Sequence, residues 1–157
     1  MKYSKNEIGV VVKMRRYDLY IIDDQFINYY YGRERIFYNL FKDYEKANAS
    51  LKKVLYKQID YITKTMPVLR IHKQLIQLLS KHKDYYMKDG VYCLENKTSS
   101  ARLTLQNKRC ILYATGSIHA EMIFFEALRK VDLNFLAIDI ENERFGWIKP
   151  MKEKHYI

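Results

Sequence analysis

The stretch DGVYCLENKTSSARLTLQNKRCILYATGS, residues 89–117, decides the fold. It opens on the turn dipeptide Asp89-Gly90. Three β-branched and aromatic segments follow: Val91 to Leu94, Ala101 to Gln106 and Arg109 to Thr115. Only the polar pair Asn107-Lys108 separates the last two, which is hairpin spacing, so the segments predict an antiparallel run. Thr115-Gly116-Ser117 breaks the third strand and caps a helix from Ile118 to Lys130. Glu121 falls in its first turn and Arg129-Lys130 in its last, as the helix dipole favours. The apolar residues Ile118, Met122, Ile123, Phe124, Phe125 and Leu128 wrap more than one side, so this helix is expected between the sheet and something else.

Toward the C-terminus, Phe135 to Ile140 reads as a buried strand, Glu141 to Arg144 as a turn, and Phe145 to Ile148 as the returning strand, ended by Pro150. Toward the N-terminus, Tyr17 to Ile22 reads as a strand, with Asp23 or Asp24 capping the helix after it. Phe26, Tyr30, Phe37, Leu40, Phe41 and Tyr44 then keep helical spacing across Gly32. That glycine either ends a short first helix in a left-handed cap or sits inside one bent helix. Ser50 is the expected cap of a next helix with the apolar stripe Leu51, Val54, Leu55, Ile59 and Ile62, and Gln58 lies at the edge of that stripe. After Pro67, Leu69, His72, Leu75, Ile76 and Leu79 line a further helix. The class is α+β: a single domain over residues 17–157 with a mainly antiparallel, mixed α/β sheet flanked by helices on both faces. Residues 1–16 form a basic lead-in that either adds an edge strand or stays frayed.

A chain of 157 residues, 48% hydrophobic, suffices for one core, and 5 Gly and 2 Pro within 29% charged residues do not describe a disordered or collagen-like chain. The longest apolar run, Ile8 to Val12, falls far short of a membrane span, and a soluble cytoplasmic protein is expected. Cys93 and Cys110, on strands expected to be neighbours, read as two small packing residues. The formal net charge of +10 favours an anionic partner, which is either nucleic acid, with 15 Tyr and 7 Phe for stacking, or an acidic protein surface.

Chemistry is sparse. His119-Ala120-Glu121 has the His-x-Glu of zinc deaminases but no Pro-Cys-x-x-Cys partner, and none of the four histidines is spaced as a zinc pair. Thr115-Gly116-Ser117 is not a nucleophile elbow. Gly116 between strand and helix can cradle an anion, yet pyrophosphate loops normally carry more than one glycine. Asp139 reads as a strand end beside a solvated turn, and Trp147 as sheet packing. No catalytic residue, metal or cofactor is expected.

The aromatic run is different. Tyr29, Tyr30 and Tyr31 on one helix point about 100° apart, so they cannot all face one sheet. Phe26 and Tyr30, four residues apart, form one aromatic face. It is either an exposed interface anchor or the buried face, with Tyr29 outside.

These residues carry a resemblance. The run from Phe26 to Glu34 (FINYYYGRE), continued by Leu40 to Tyr44, resembles the SirA family of sporulation inhibitors of chromosome replication. Lys57 to Thr63 (KQIDYIT), Ala114 to Val131 and Phe135 to Pro150 agree with it in order. The resemblance implies a non-enzymatic regulator that binds domain I of the replication initiator DnaA, touches no DNA or membrane, and blocks initiation. It also implies Phe26, Tyr30 and Gln58 as contact positions. The element order is further similar to the acetyltransferase superfamily, a fold analogy. An acetyltransferase-like enzyme and a basic nucleic-acid-binding protein are the alternatives.

Overall fold

The computed structural model describes residues 3–5 and 11–149. Residues of the lead-in such as Lys2 and Gly9, and Pro150 at the end of the last strand, lie outside the described residues. Strands β1 (Tyr3–Lys5) and β2 (Val11–Lys13) pair antiparallel as a separate two-stranded ribbon.

Strand β3 (Arg15–Ile22) begins two residues before the expected Tyr17. It is the spine of the main sheet, because its alternating side chains are buried on both sides. Leu19 and Ile21 face one core, while Tyr20 and Ile22 face the other. Helices α1 (Asp24–Tyr30), α2 (Glu34–Lys46) and α3 (Ala49–Ile62) follow, then the two-residue strand β4 (Thr63–Lys64), which pairs with the end of β3. Next come α4 (Val68–Leu79), β5 (Tyr85–Lys88), β6 (Val91–Glu95), β7 (Ser99–Leu105), β8 (Cys110–Gly116), α5 (His119–Lys130), β9 (Phe135–Asp139) and β10 (Arg144–Trp147).

The sheet runs in the order β10-β9-β3-β8-β7-β6-β5, with β4 beside β3, and every pairing is antiparallel. The structure is thus α+β, as the sequence implies. The chain's first long strand inserts between β8 and β9, the strands on either side of α5. Helices α4 and α5 cover one face around Ile71, Leu75, Leu103, Leu112, Phe124 and Leu128. Helices α1, α2 and α3 cover the other around Phe37, Tyr38, Phe41, Ile59, Ile62 and Ile138.

Three local readings need adjustment and one open alternative, at Gly32, is decided. Strand β5 was not expected, although Tyr85 to Lys88 precede Asp89-Gly90. Both turn residues take positive φ, 52° and 77°, which is the two-residue hairpin geometry that aligns β5 with β6. Asn48, not Ser50, caps α3, its side chain accepting from Leu51 N at 3.0 Å. Gly32, at φ +75°, separates two helices rather than bending one. Cys93 and Cys110 are free and buried, on strands β6 and β8 that β7 keeps apart.

Candidate partner-binding surface

Helix α1 is held at its start. The Asp23 side chain accepts from Gln25 N at 3.2 Å, and Asp24 receives Lys64 Nζ at 3.1 Å and Asn134 Nδ2 at 2.9 Å. Its seven residues bury Ile27 and Tyr30, leave Phe26 half-buried and expose Tyr29, and Tyr31, which caps its end, is exposed too. Of the two readings left open for the aromatic pair, the structure therefore divides them. Tyr30, only 7% exposed, belongs to the core beneath α1. Its ring lies edge-on to Phe37 at 5.6 Å and to Tyr29 at 5.0 Å, and burial pushes its hydroxyl pKa up. It is not the exposed anchor. Tyr29 is outside, with the Arg33 guanidinium over its ring at 5.5 Å.

Helix α3 supplies the larger part of the surface. The stripe expected to be buried is only partly so: Ile59 and Ile62 are in the core, but Leu51 and Val54 are exposed and Leu55 is half-buried. Pairing of β4 with β3 pins the C-terminal end of α3 to the sheet, so the last turn reaches the core. The helix also packs along α2, with Tyr56 against Tyr44. Leu51, Val54, Gln58 and Tyr61, spaced three, four and three residues apart, fall within an arc of about 80°. All four are exposed, Tyr61 to 70%. The Tyr61 ring meets that of Phe26 at 5.2 Å, which joins the α3 stripe to α1. The result is an apolar strip running from Leu51 to Tyr29 with one amide, Gln58, inside it. Phe26 meets Tyr61, three residues beyond the exposed Gln58 on α3, and Tyr30 is packed inside against Tyr29 and Phe37. Sequence reasoning missed Tyr61, Val54 and Leu51 because helical spacing marks an apolar face without saying whether the protein's own core covers it.

The other candidates are accounted for structurally. Gly116 takes φ +77°, and a Cβ there would stand 2.2 Å from the Thr98 carbonyl oxygen, so the close approach of β7 and β8 explains the glycine. His119 is exposed while Glu121 is buried, so the His-x-Glu pair does not converge. Glu121 instead accepts from Arg15 Nε at 2.8 Å, a buried link from α5 to β3 that its position in the first turn did not reveal. Asp139 is also buried rather than solvated. It accepts from Asn142 Nδ2 at 2.8 Å and Arg144 Nη2 at 2.9 Å, holding the β9–β10 turn closed. Trp147 packs at the sheet edge and donates Nε1–H to Glu34 at 2.9 Å. Among the described residues, no helix is long and apolar enough to cross a membrane.

Cations are dispersed and many are paired. Asp18 receives Arg16 at 2.8 Å and Arg109 at 2.9 Å, and Lys108 lies 3.1 Å from Asp60.

Comparison with known proteins then decides the family. Residues 15–152 match the family described as sporulation inhibitor of replication protein SirA. The chain belongs to the SirA family. A curated relative, the sporulation inhibitor of replication protein SirA of Bacillus subtilis (strain 168), is 39% identical over 149 residues, covering 91% of this chain and 99% of the relative. The SirA match begins at Arg15, where β3 begins, and spans every element of the main sheet.

Proposed function

We propose that this protein inhibits replication initiation during sporulation by docking the α1–α3 strip onto domain I of the initiator DnaA, without catalysis and without contacting DNA. The observation that carries the reading is the exposed strip itself. Leu51, Val54 and Tyr61 on α3 continue through Phe26 into α1, and Gln58 offers a donor and an acceptor at its centre. Exposed apolar residues normally lie scattered singly, and a contiguous strip of this kind is characteristic of an interface. Tyr61 and Tyr29 supply rigid aromatic area at small entropic cost, as interface anchors do. In this arrangement Phe26 and Gln58 contact the partner directly, and Tyr30 holds Tyr29 and the α1 backbone in place. The basic surface speeds encounter with an acidic partner face and adds little once the complex is formed.

The reading is tested by mixing the full chain with purified domain I of the host initiator and following the pair by size-exclusion chromatography with light scattering. Co-elution as a complex is expected. Separate elution at tens of micromolar contradicts the reading, as does an unchanged origin-to-terminus ratio in cells that overproduce the protein.

A further inference from the structure

Strand β5 is one edge of the main sheet, and among the described residues nothing pairs with its outer side. The backbone bond from Glu95 N to Asp84 O, at 3.2 Å, sets the phase of its ladder with β6. Hydrogen-bonded pairs alternate along an antiparallel ladder. Asp84, Tyr86 and Lys88 therefore turn their backbone groups toward β6, and Tyr85 and Met87 turn theirs away from the sheet. The Tyr85 amide donates to the His82 carbonyl at 3.2 Å. Among the described residues, the Met87 amide and the carbonyls of Tyr85 and Met87 have no backbone partner, and the Tyr86 and Met87 side chains are exposed. Such an edge is a template for a further strand.

The charges along the edge say which strand fits. The segment Lys83-Asp84-Tyr85-Tyr86-Met87-Lys88-Asp89 is complementary to itself when reversed about Tyr86. Laid antiparallel against a second copy, it sets Asp84 opposite Lys88 of that copy and Lys88 opposite its Asp84. Lys83 and Asp89, just outside the strand, again bring opposite signs together at each end. None of these four makes an ion pair among the described residues. Asp84 stands opposite Glu95 across the β5–β6 ladder, a like charge that a facing lysine offsets.

The backbone favours the same register. With Tyr86 on the two-fold axis, Tyr85 faces Met87 of the second copy, so outward groups meet outward groups and each Met87 amide donates to a Tyr85 carbonyl. A slip of one residue sets outward groups against inward ones. A slip of two sets Asp84 against Tyr86 or Gly90 and loses the charge pairs. The Met87 thioether also meets the Tyr85 ring across the new ladder, a favourable contact.

We infer that the β5 edge is a self-association surface, through which two copies join β5 to β5 antiparallel about Tyr86 and continue the main sheet across a two-fold axis. The strand is four residues long, so the dimer belongs with small, transient interfaces. Strand β5 lies at the sheet edge opposite β10, and α1, α2 and α3 pack over β3, β9 and β10, so the α1–α3 strip stays free and the dimer presents two of them.

The test is sedimentation velocity of the full chain from about 5 to about 500 micromolar, at an ionic strength that screens the like net charges beyond about 8 Å. A monomer–dimer equilibrium within that range is expected. Met87→Pro removes an outward amide at an edge position, which a sheet tolerates, and should abolish the dimer. Lys88→Asp sets like charges face to face and should weaken it about tenfold or more. Adding Asp84→Lys to Lys88→Asp exchanges the two signs and should restore it. A monomer at every concentration would overturn the inference. So would a dimer undiminished in a folded Met87→Pro chain, or no recovery in the exchanged double variant. If Met87→Pro fails to fold, the charge exchange still decides.

Discussion

The rings of Phe26 and Tyr61 lie 5.2 Å apart, centroid to centroid, and tilted by 57°. This one contact makes a single surface of two helices separated in sequence by all of α2. It is also where the inner and outer roles of neighbouring aromatics part: Ile62, next to Tyr61, is in the core, and Tyr61 is outside.

Truncating Tyr61 to Ala should therefore cost binding without costing the fold. At 70% exposure its removal should change stability by no more than about 0.5 kcal/mol. Loss of a central aromatic anchor should weaken the complex by about 2 kcal/mol or more. Calorimetric titration and thermal denaturation of the same variant separate the two effects.

Tyr30 should behave in the opposite way. Its ring is buried among Tyr29 and Phe37, so Tyr30→Ala should destabilise the fold by about 3 to 5 kcal/mol, as aromatic core truncations do. For a chain of this size that is a drop in melting temperature of roughly 10 °C. Any loss of binding by this variant should follow the disturbed α1. A melting temperature within 2 °C of the wild type, with binding lost, would return Tyr30 to the direct contacts.

The contrast between those tyrosines shows what the sequence can and cannot carry. Strand and helix order was legible because period and turn chemistry are local properties: Asn107-Lys108 between two β runs, Asp23 before α1, Pro67 before α4. Burial is different, since it depends on what the rest of the chain brings near. The Leu51, Val54, Leu55 stripe looks like any core-facing stripe, and only the folded structure shows that Leu51 and Val54 stay exposed while Ile59 and Ile62 reach the core. Similarly, Arg15 and Glu121 lie 106 residues apart, and nothing local links a lead-in cation to a helix-start carboxylate.

Two glycines with the same left-handed backbone should respond differently to alanine. At Gly32, φ +75° with open space around the missing Cβ, the substitution should cost about 1 to 2 kcal/mol, the conformational penalty alone. At Gly116, φ +77°, the added methyl meets the Thr98 carbonyl at 2.2 Å, so β7 and β8 must part and the cost should clearly exceed that of Gly32→Ala. Equal losses in denaturant midpoint would contradict the close-approach explanation for Gly116.

Stability should fall on the alkaline side. Burial pushes the Tyr17 and Tyr92 hydroxyls from 10.0 up to about 12, raises Tyr20 as well, and moves the Cys110 thiol from 9.0 to about 12. Each group stays protonated in the native state at pH values where the unfolded chain would release its proton. Their contribution is thus complete below about pH 9 and is lost as the pH rises through 9 to 12. Denaturant midpoints across that range should decline, with late tyrosinate absorbance appearing together with unfolding. Cys110 is buried and burial pushes its thiol pKa up, so at pH 8 iodoacetamide should leave it unmodified until the protein unfolds.

The most direct test of the account is the footprint of the initiator's domain I on the full chain, read as amide shift changes in the labelled protein on adding the unlabelled domain. The account predicts perturbations concentrated at Phe26, Tyr29, Val54, Gln58 and Tyr61, with the α5 face and strands β5 and β6 unaffected. Perturbations confined to the α5 face, or none at saturating concentration, would contradict it.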